Sequence, residues 1–150
     1  MGETLAQSEL SVGYLINLLA RLYTRSIDEK LDPFGLSHGQ LPAMMVLWEQ
    51  PGLTQTEVAR KVAVEQPTMA NTVVRMERDG WVERRPDPSD RRRTLLFPTP
   101  QALALRADIL AEVAAVNARV AAGLGDAERH QVMYMLHKMV DNLELEPASS

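Results

Sequence analysis

The stretch from Thr54 to Phe97 constrains this chain more than any other part of it, because it carries a stop or start signal every few residues. Thr54 and Glu57 have capping-box spacing, in which the hydroxyl and the carboxylate each satisfy a backbone N–H that the first helical turn leaves orphaned. A short helix carrying Val58, Ala59 and Val62 is predicted to follow. After a turn around residues 63–66, Pro67 suits the first position of a second helix, whose apolar run includes Met69, Val73, Val74 and Met76. Gly80 suits the left-handed position that closes it. Trp81 to Arg85 and Thr94 to Phe97 are rich in β-favouring residues and flank Pro86, Asp87, Pro88, Ser89 and Asp90, a hairpin with a long polar tip. Two short helices around a tight turn form a helix-turn-helix pattern, and the hairpin after them reads as a wing.

Longer helices are predicted on either side. From about Ser8 to Leu31, Leu15, Leu18, Leu19, Leu22 and Tyr23 recur at helical spacing, and Asp32, Pro33 and Gly35 end the run. Ser37 and Gln40 fit a second capping box ahead of Leu41, Met44, Met45, Leu47 and Trp48, although Pro42 lacks the N–H a helix interior needs, so the helix starts a residue or two later or bends there. Thr99 and Pro100 open a helix running to about Ala122, Gly123 and Gly125 break it, and Asp126 is expected to cap a last helix with Val132, Met135, Leu136, Met139, Val140 and Leu143 in a near-heptad seam. The predicted fold class is mainly α with a small two-stranded β wing. Residues 1–34 and 100–146 are assigned to a helical dimerisation region, 35–99 to a winged helix-turn-helix domain, and 147–150 to a frayed tail. The chain ends carry more apolar surface than a lone winged domain can cover, and a homodimer is expected to cover it.

Charge sharpens the functional reading. The formal net charge is −4, which alone argues against a nucleic-acid partner. Its distribution reverses that argument: residues 60–93 carry +3 and the remainder −7. Cysteine is absent, which excludes thiol catalysis and thiolate metal sites and suits a reducing cytoplasm. Acidic residues interrupt the first thirty positions, so no membrane span is expected there. Few aromatics are available to stack single-stranded bases, and double-stranded DNA is the expected partner. No Walker loop, dinucleotide-binding glycine turn or HExxH motif is present, so neither enzyme nor cofactor is expected. His130 and His137 share a helix face but lack a third ligand, and no metal site is assigned.

The run PGLTQTEVARKVAVEQPTMANTVVRMERDGWVERRPDPSDRRR resembles the winged helix-turn-helix of the multiple antibiotic resistance regulator (MarR) family, and the likeness extends through the flanking helices. Its most specific part is the tip DPSDRRR, similar to the family's Asp-x-Arg wing signature at Asp90 to Arg92. Where relatives usually have a Leu-Thr pair and a Gly three residues after the Thr, this chain has Pro98, Thr99 and Ala102. The resemblance implies a dimeric transcriptional regulator, a repressor released by a small, often aromatic and anionic, ligand. It also implies that Asp90 orients a wing-tip arginine.

The second short helix is then expected to enter the major groove, with Gln66, Thr68, Asn71, Thr72 and Arg75 as candidates for base edges. Asn and Gln match adenine, Arg matches guanine, and Thr can touch a thymine methyl or a phosphate. Arg92 is assigned to the flanking minor groove. Arg91 and Arg93 are assigned to phosphates, with Thr54, Gln55 and Arg60 positioning the duplex. A dimer would place two such helices about 34–36 Å apart, so the target is an imperfect palindrome. Tyr14, Arg21, Arg25, His38, Met44, Met45 and Trp48 are candidates for an effector pocket, against the plainer reading of the last three as core. The rival function is a winged-helix protein-interaction module that never touches DNA, for which a tip of three arginines has no use.

Overall fold

The computed structural model describes residues 5–144, with side-chain surroundings from residue 11 onward. The tail at 147–150 and the outermost residues of the assigned dimerisation region lie outside the described residues. The elements run α1 (Leu5–Leu31), a 3-10 turn (Asp32–Phe34), α2 (Leu41–Glu49), α3 (Gln55–Lys61), α4 (Gln66–Arg78), β1 (Val82–Pro86), β2 (Thr94–Pro98), α5 (Pro100–Val120) and α6 (Asp126–Glu144). Helix order and wing match the predicted class. Two compact units divide inside α5, residues 1–116 and 117–150.

In the first unit one core collects Ile27 and Leu31 of α1, Leu36, Met44, Leu47 and Trp48 of the α2 region, Val58 of α3, Met69, Val73 and Met76 of α4, Trp81, Leu96 of β2, and Ile109 and Val113 of α5. Each such side chain contributes roughly 1.5–3 kcal/mol by leaving water. β1 and β2 pair antiparallel from Val82 opposite Pro98 to Pro86 opposite Thr94. Leu53 bridges Leu96 on the other side of β2, which ties the wing to the turn between α2 and α3.

Local chemistry explains most of the boundaries. The Thr54 box is complete: Thr54 Oγ1 accepts the Glu57 N–H at 3.2 Å, and Glu57 Oε2 accepts the Thr54 N–H at 2.8 Å. The Ser37 box is only half made. Gln40 Oε1 accepts the Ser37 N–H at 3.2 Å, but the Gln40 N–H goes to the Ser37 carbonyl in a turn, and α2 starts at Leu41. Pro42 therefore falls in the first turn, where its missing donor loses no helical bond. Two other expectations shift by one residue. Glu65 precedes α4, so Pro67 is its second position. Gly125 precedes α6, its N–H held by Glu128 Oε2 at 2.8 Å, so Asp126 lies within the first turn instead of capping it.

Helices α3 and α4 end in the same motif with different residues. After α4 the Gly80 N–H bonds the Glu77 carbonyl and the Trp81 N–H bonds the Met76 carbonyl, with Gly80 at φ +80°. After α3 the Ala63 N–H bonds the Arg60 carbonyl and the Val64 N–H bonds the Ala59 carbonyl, but the left-handed residue is Ala63, at φ +55°. Ala63 carries a steric cost that Gly80 avoids.

In the second unit, α6 has no buried residue, and Val132, Met133, Tyr134, Met135, Leu136, Met139, Val140 and Leu143 are all exposed. His130 and His137 each place Nδ1 against the carbonyl four residues earlier. Among the described residues no group of His, Asp and Glu could hold a metal, and no helix is long and apolar enough to cross a membrane.

The two helix ends make opposite predictions. Gly80→Ala should lower unfolding free energy in urea by about 1–2 kcal/mol, since Ala pays the left-handed penalty there. Ala63→Gly should change stability by less than about 1 kcal/mol and in the stabilising direction, relief of that penalty being partly offset by a more flexible unfolded chain. Equal destabilisation by both substitutions would contradict the assigned backbone.

Candidate nucleic-acid interface

Helix α4 buries Met69, Val73 and Met76, which fixes its rotation. At 100° per residue the opposite side carries Pro67, Thr68, Asn71, Val74, Arg75 and Arg78, all exposed. Among the predicted base-reading residues, Thr68, Asn71 and Arg75 share this outward face. Gln66 is exposed but lies toward one flank. Thr72 lies on the other flank, half-buried, its Oγ1 donating to the Thr68 carbonyl at 2.9 Å. Val74 corrects the sequence reading, which placed it in the apolar run: it is 58% exposed, one turn beyond Asn71 on the outward face. The spacing of Met69, Val73 and Met76 carried that signal, because Val74 is a further 100° round from Val73.

The supporting helix contributes less free chemistry than expected. Arg60 is exposed, Gln55 is half-buried at the first position of α3, and the Thr54 hydroxyl is engaged as the cap.

At the wing, two Asp side chains each fold the chain back on itself. Asp87 Oδ1 accepts the Ser89 N–H at 2.9 Å and the Ser89 hydroxyl at 2.7 Å. Asp90 Oδ1 accepts the Arg92 N–H at 3.0 Å and Arg92 Nε at 3.2 Å. Both are Asx turns, in which a short carboxylate mimics a backbone carbonyl. The tip closes through the Arg93 N–H on the Asp90 carbonyl and the Asp87 N–H on the Arg93 carbonyl. Arg92 is left 92% exposed along its side chain, and Arg91 is exposed beside it. Arg93 points elsewhere: Nη2 donates to Glu57 Oε1 at 3.2 Å, and Nη1 lies 3.8 Å from Asp87 Oδ2.

Sequence reasoning missed the structural roles of Asp87, Ser89 and the Glu57–Arg93 bridge. The Asp-x-Ser spacing carried a signal for the first two, while the bridge spans 36 positions and left none. Further ion pairs brace the wing root. Arg84 Nε donates to Glu77 Oε2 at 3.0 Å, Arg85 pairs with Glu83, and the Arg85 guanidinium stands 4.3 Å over the Phe97 ring.

Three carboxylates around this interface, Glu57, Asp79 and Asp87, are held below their usual range. Glu57 is lowered first by the Thr54 N–H, with Arg93 and Arg60 adding to it. Asp87 is lowered first by the Ser89 hydroxyl and N–H, then by Arg93. Asp79, beside α4, is lowered chiefly by Arg78, with a contribution from Gln40.

The residues predicted for an effector do not share one cavity. Met44 is 0% exposed and Trp48 is buried, its Nε1 donating to the Ala102 carbonyl at 3.1 Å. Both belong to the core. Tyr14 and Met45 are exposed. His38 binds Asp28 through ring Nδ1 at 2.7 Å and through its backbone N–H at 2.9 Å. Arg21 and Arg25 line an open groove of about 580 Å³ along α1, with Asn17, Thr24 and Asp28. Arg25 is paired there with Glu29.

Residues 36–94 match the family model described as the MarR family. The chain is 32% identical over 131 residues to the HTH-type transcriptional repressor Rv2887 of Mycobacterium tuberculosis, covering 85% of this chain and 92% of that protein. The chain belongs to the MarR family. Its relatives in that family are transcriptional regulators, not enzymes. The HTH-type transcriptional regulator YwoH of Bacillus subtilis is 38% identical over 87 residues, a match that spans 58% of this chain and 63% of YwoH. Among solved structures, a MarR transcriptional regulator from Methanosarcina mazei superimposes with a TM-score of 0.79 at 25% identity, over 90% of this chain and 98% of that one. A mutant MarR from E. coli complexed with operator DNA shares the fold, with a TM-score of 0.81 at 22% identity over 91% and 99% of the two chains.

The lowered carboxylates fix the sign of an acid response. A group that ionises more readily folded than unfolded stabilises the fold above its unfolded pKa and stops doing so as pH falls through the folded one. Stability should therefore be level near neutrality and fall below about pH 5. In urea titrations, Asp87→Asn should show a smaller drop from pH 7 to pH 3 than the parent; an equal drop would exclude Asp87 as a contributor.

Proposed function

We propose that this MarR-family regulator is a homodimer that binds double-stranded DNA sequence-specifically and represses transcription until a small ligand releases it. One observation carries the DNA reading: the outward face of α4, with Thr68, Asn71 and Arg75, lies in the same unit as a braced wing whose Arg91 and Arg92 extend into solvent. In this reading α4 enters the major groove and Arg92 the flanking minor groove, while Arg91 and Arg60 meet phosphates. Asp90 steers Arg92, and Gln66, Gln55, Thr54 and Thr72 support the docking from the flanks. The fold shared with a MarR protein crystallised on operator DNA supports it. The name of Rv2887, a transcriptional repressor, supports the sign of regulation.

Dimerisation is supported by apolar side chains with no cover in a single chain. Val12, Leu15, Ile16, Leu19 and Leu22 of α1 are exposed, as are the apolar residues of α6. A second copy covering them would hold two α4 helices about one duplex turn apart and select an imperfect palindrome. For the ligand, the groove bearing Arg21 and Arg25 has the charge for a small carboxylate, and an aromatic acid is the class proposed.

The test is fluorescence anisotropy with DNA from upstream of the protein's own gene, in a salt series. Wild-type affinity should fall with salt by about 0.9 logarithmic units per phosphate neutralised. Arg92→Ala should lose about 1–3 kcal/mol of binding, and Arg91→Ala should make the salt slope shallower by about one phosphate. Failure to bind any duplex at low salt would leave the protein-interaction module as the better reading. A monomer by light scattering at micromolar concentration would refute the dimer.

A further inference from the structure

Arg93 is the one arginine of the wing tip whose guanidinium points back into the domain. Its Nη2 meets Glu57 Oε1 at 3.2 Å while its Nη1 faces Asp87 Oδ2 at 3.8 Å. Both carboxylates are already anchored. Glu57 closes the Thr54 capping box through its other oxygen, Oε2, and Asp87 holds Ser89 through Oδ1. Glu57 thus uses one oxygen to start α3 and the other to hold the wing. Asp87 likewise divides its two oxygens between the tip and Arg93, and its side chain is only 11% exposed. Backbone bonds flank the arrangement, since the Arg93 N–H and carbonyl close the tip onto Asp90 and Asp87.

We propose that Arg93 is a positioning residue, a clasp between the wing and α3 that sets where Arg92 stands, and that it makes no phosphate contact of its own. The inference rests on the DNA-binding reading above. Its logic is preorganisation: a two-stranded wing is marginal by itself, and each residue it must order upon docking weakens binding. A cation held by two anchored carboxylates orders the wing before DNA arrives. The same two carboxylates also offset the Arg93 charge, so a phosphate approaching Arg93 would meet neutralised ground. Arg91 and Arg92 carry the net charge of the tip outward.

The experiment measures affinity and salt slope of the full-length protein on its own upstream DNA for wild type, Arg93→Met, Arg93→Lys, Arg92→Ala and the double variant Arg92→Ala/Arg93→Met. Arg93→Met keeps the length of the side chain and removes its charge. It should lose about two- to fivefold in affinity, the range an exposed ion pair supplies, with the salt slope unchanged. The double variant should bind no worse than Arg92→Ala alone, because Arg93 acts through the placement of Arg92. Arg93→Lys should recover part of the loss. Hydrogen exchange adds a readout without DNA: amides of residues 89–92 should exchange faster in Arg93→Met, with α4 unchanged. A slope shallower by about 0.9 would show that Arg93 meets a phosphate and overturn the clasp. So would additive losses in the double variant, or unaltered wing-tip exchange. Absence of wild-type binding on every duplex would instead sink the DNA-binding reading, and the clasp with it.

Discussion

Trp81 is the joint on which the rest of the winged domain depends. Its side chain is buried, and Nε1 donates to the Gly35 carbonyl at 3.2 Å, which fastens the end of α4 to the turn after α1. Its own carbonyl accepts the Thr99 N–H at 3.1 Å, while the Gly80 carbonyl accepts the Thr99 hydroxyl. Thr99 Oγ1 in turn accepts the Ala102 N–H at 3.1 Å and so starts α5, and the Ala102 carbonyl takes the indole N–H of Trp48. Five hydrogen bonds among these six residues thereby link the turn after α1, α2, the end of α4, the wing exit and α5. Each bond is buried or half-buried, where an unmade partner would cost about 1–3 kcal/mol. Gly80 favours this joint, since the chain passes through a left-handed residue to turn from α4 into β1.

That joint also sets the wing exit. Ala102 is fully buried, and its carbonyl accepts the Trp48 indole N–H at 3.1 Å. Thr99 keeps its capping role although Pro98 precedes it, because Pro98 ends β2 opposite Val82 and Thr99 donates its N–H to Trp81. The wing's exit is thus set by hydrogen bonds to the end of α4.

What could be read in the sequence was what the chain decides locally. The complete capping box at Thr54, the closure at Gly80 and the polar hairpin tip depend on neighbours two to five residues away, and residue type at that spacing is enough to predict them. The half-made box at Ser37 shows the limit of the same reasoning. Its spacing was right, but Gln40 also reaches Asp79 through Nε2 at 3.3 Å, a partner 39 positions away, and the helix starts only afterwards. The effector candidates diverged for a similar reason. Met44 and Trp48 look like pocket walls on a helix considered alone, but both belong to the core, and the Trp48 indole N–H is taken by the Ala102 carbonyl of α5, 54 positions away. Distant partners decided each of these cases.

Electrostatics at the wing follow from which charges the fold has already paired. The basic middle segment carries a surplus of only +3, yet half of its eight arginines are committed: Arg78 to Asp79, Arg84 to Glu77, Arg85 to Glu83 and Arg93 to Glu57 and Asp87. Exposed pairs of this kind add little stability. Their effect is to remove those cations from the field that an approaching polyanion meets. The surplus is left to Arg60, Lys61, Arg75 and Arg91, with Arg92 held at one edge by Asp90 and otherwise open to solvent. A domain with a small net charge can in this way present a concentrated positive face, because Debye screening at about 8–10 Å lets the nearest unpaired groups dominate over the acidic remainder of the chain.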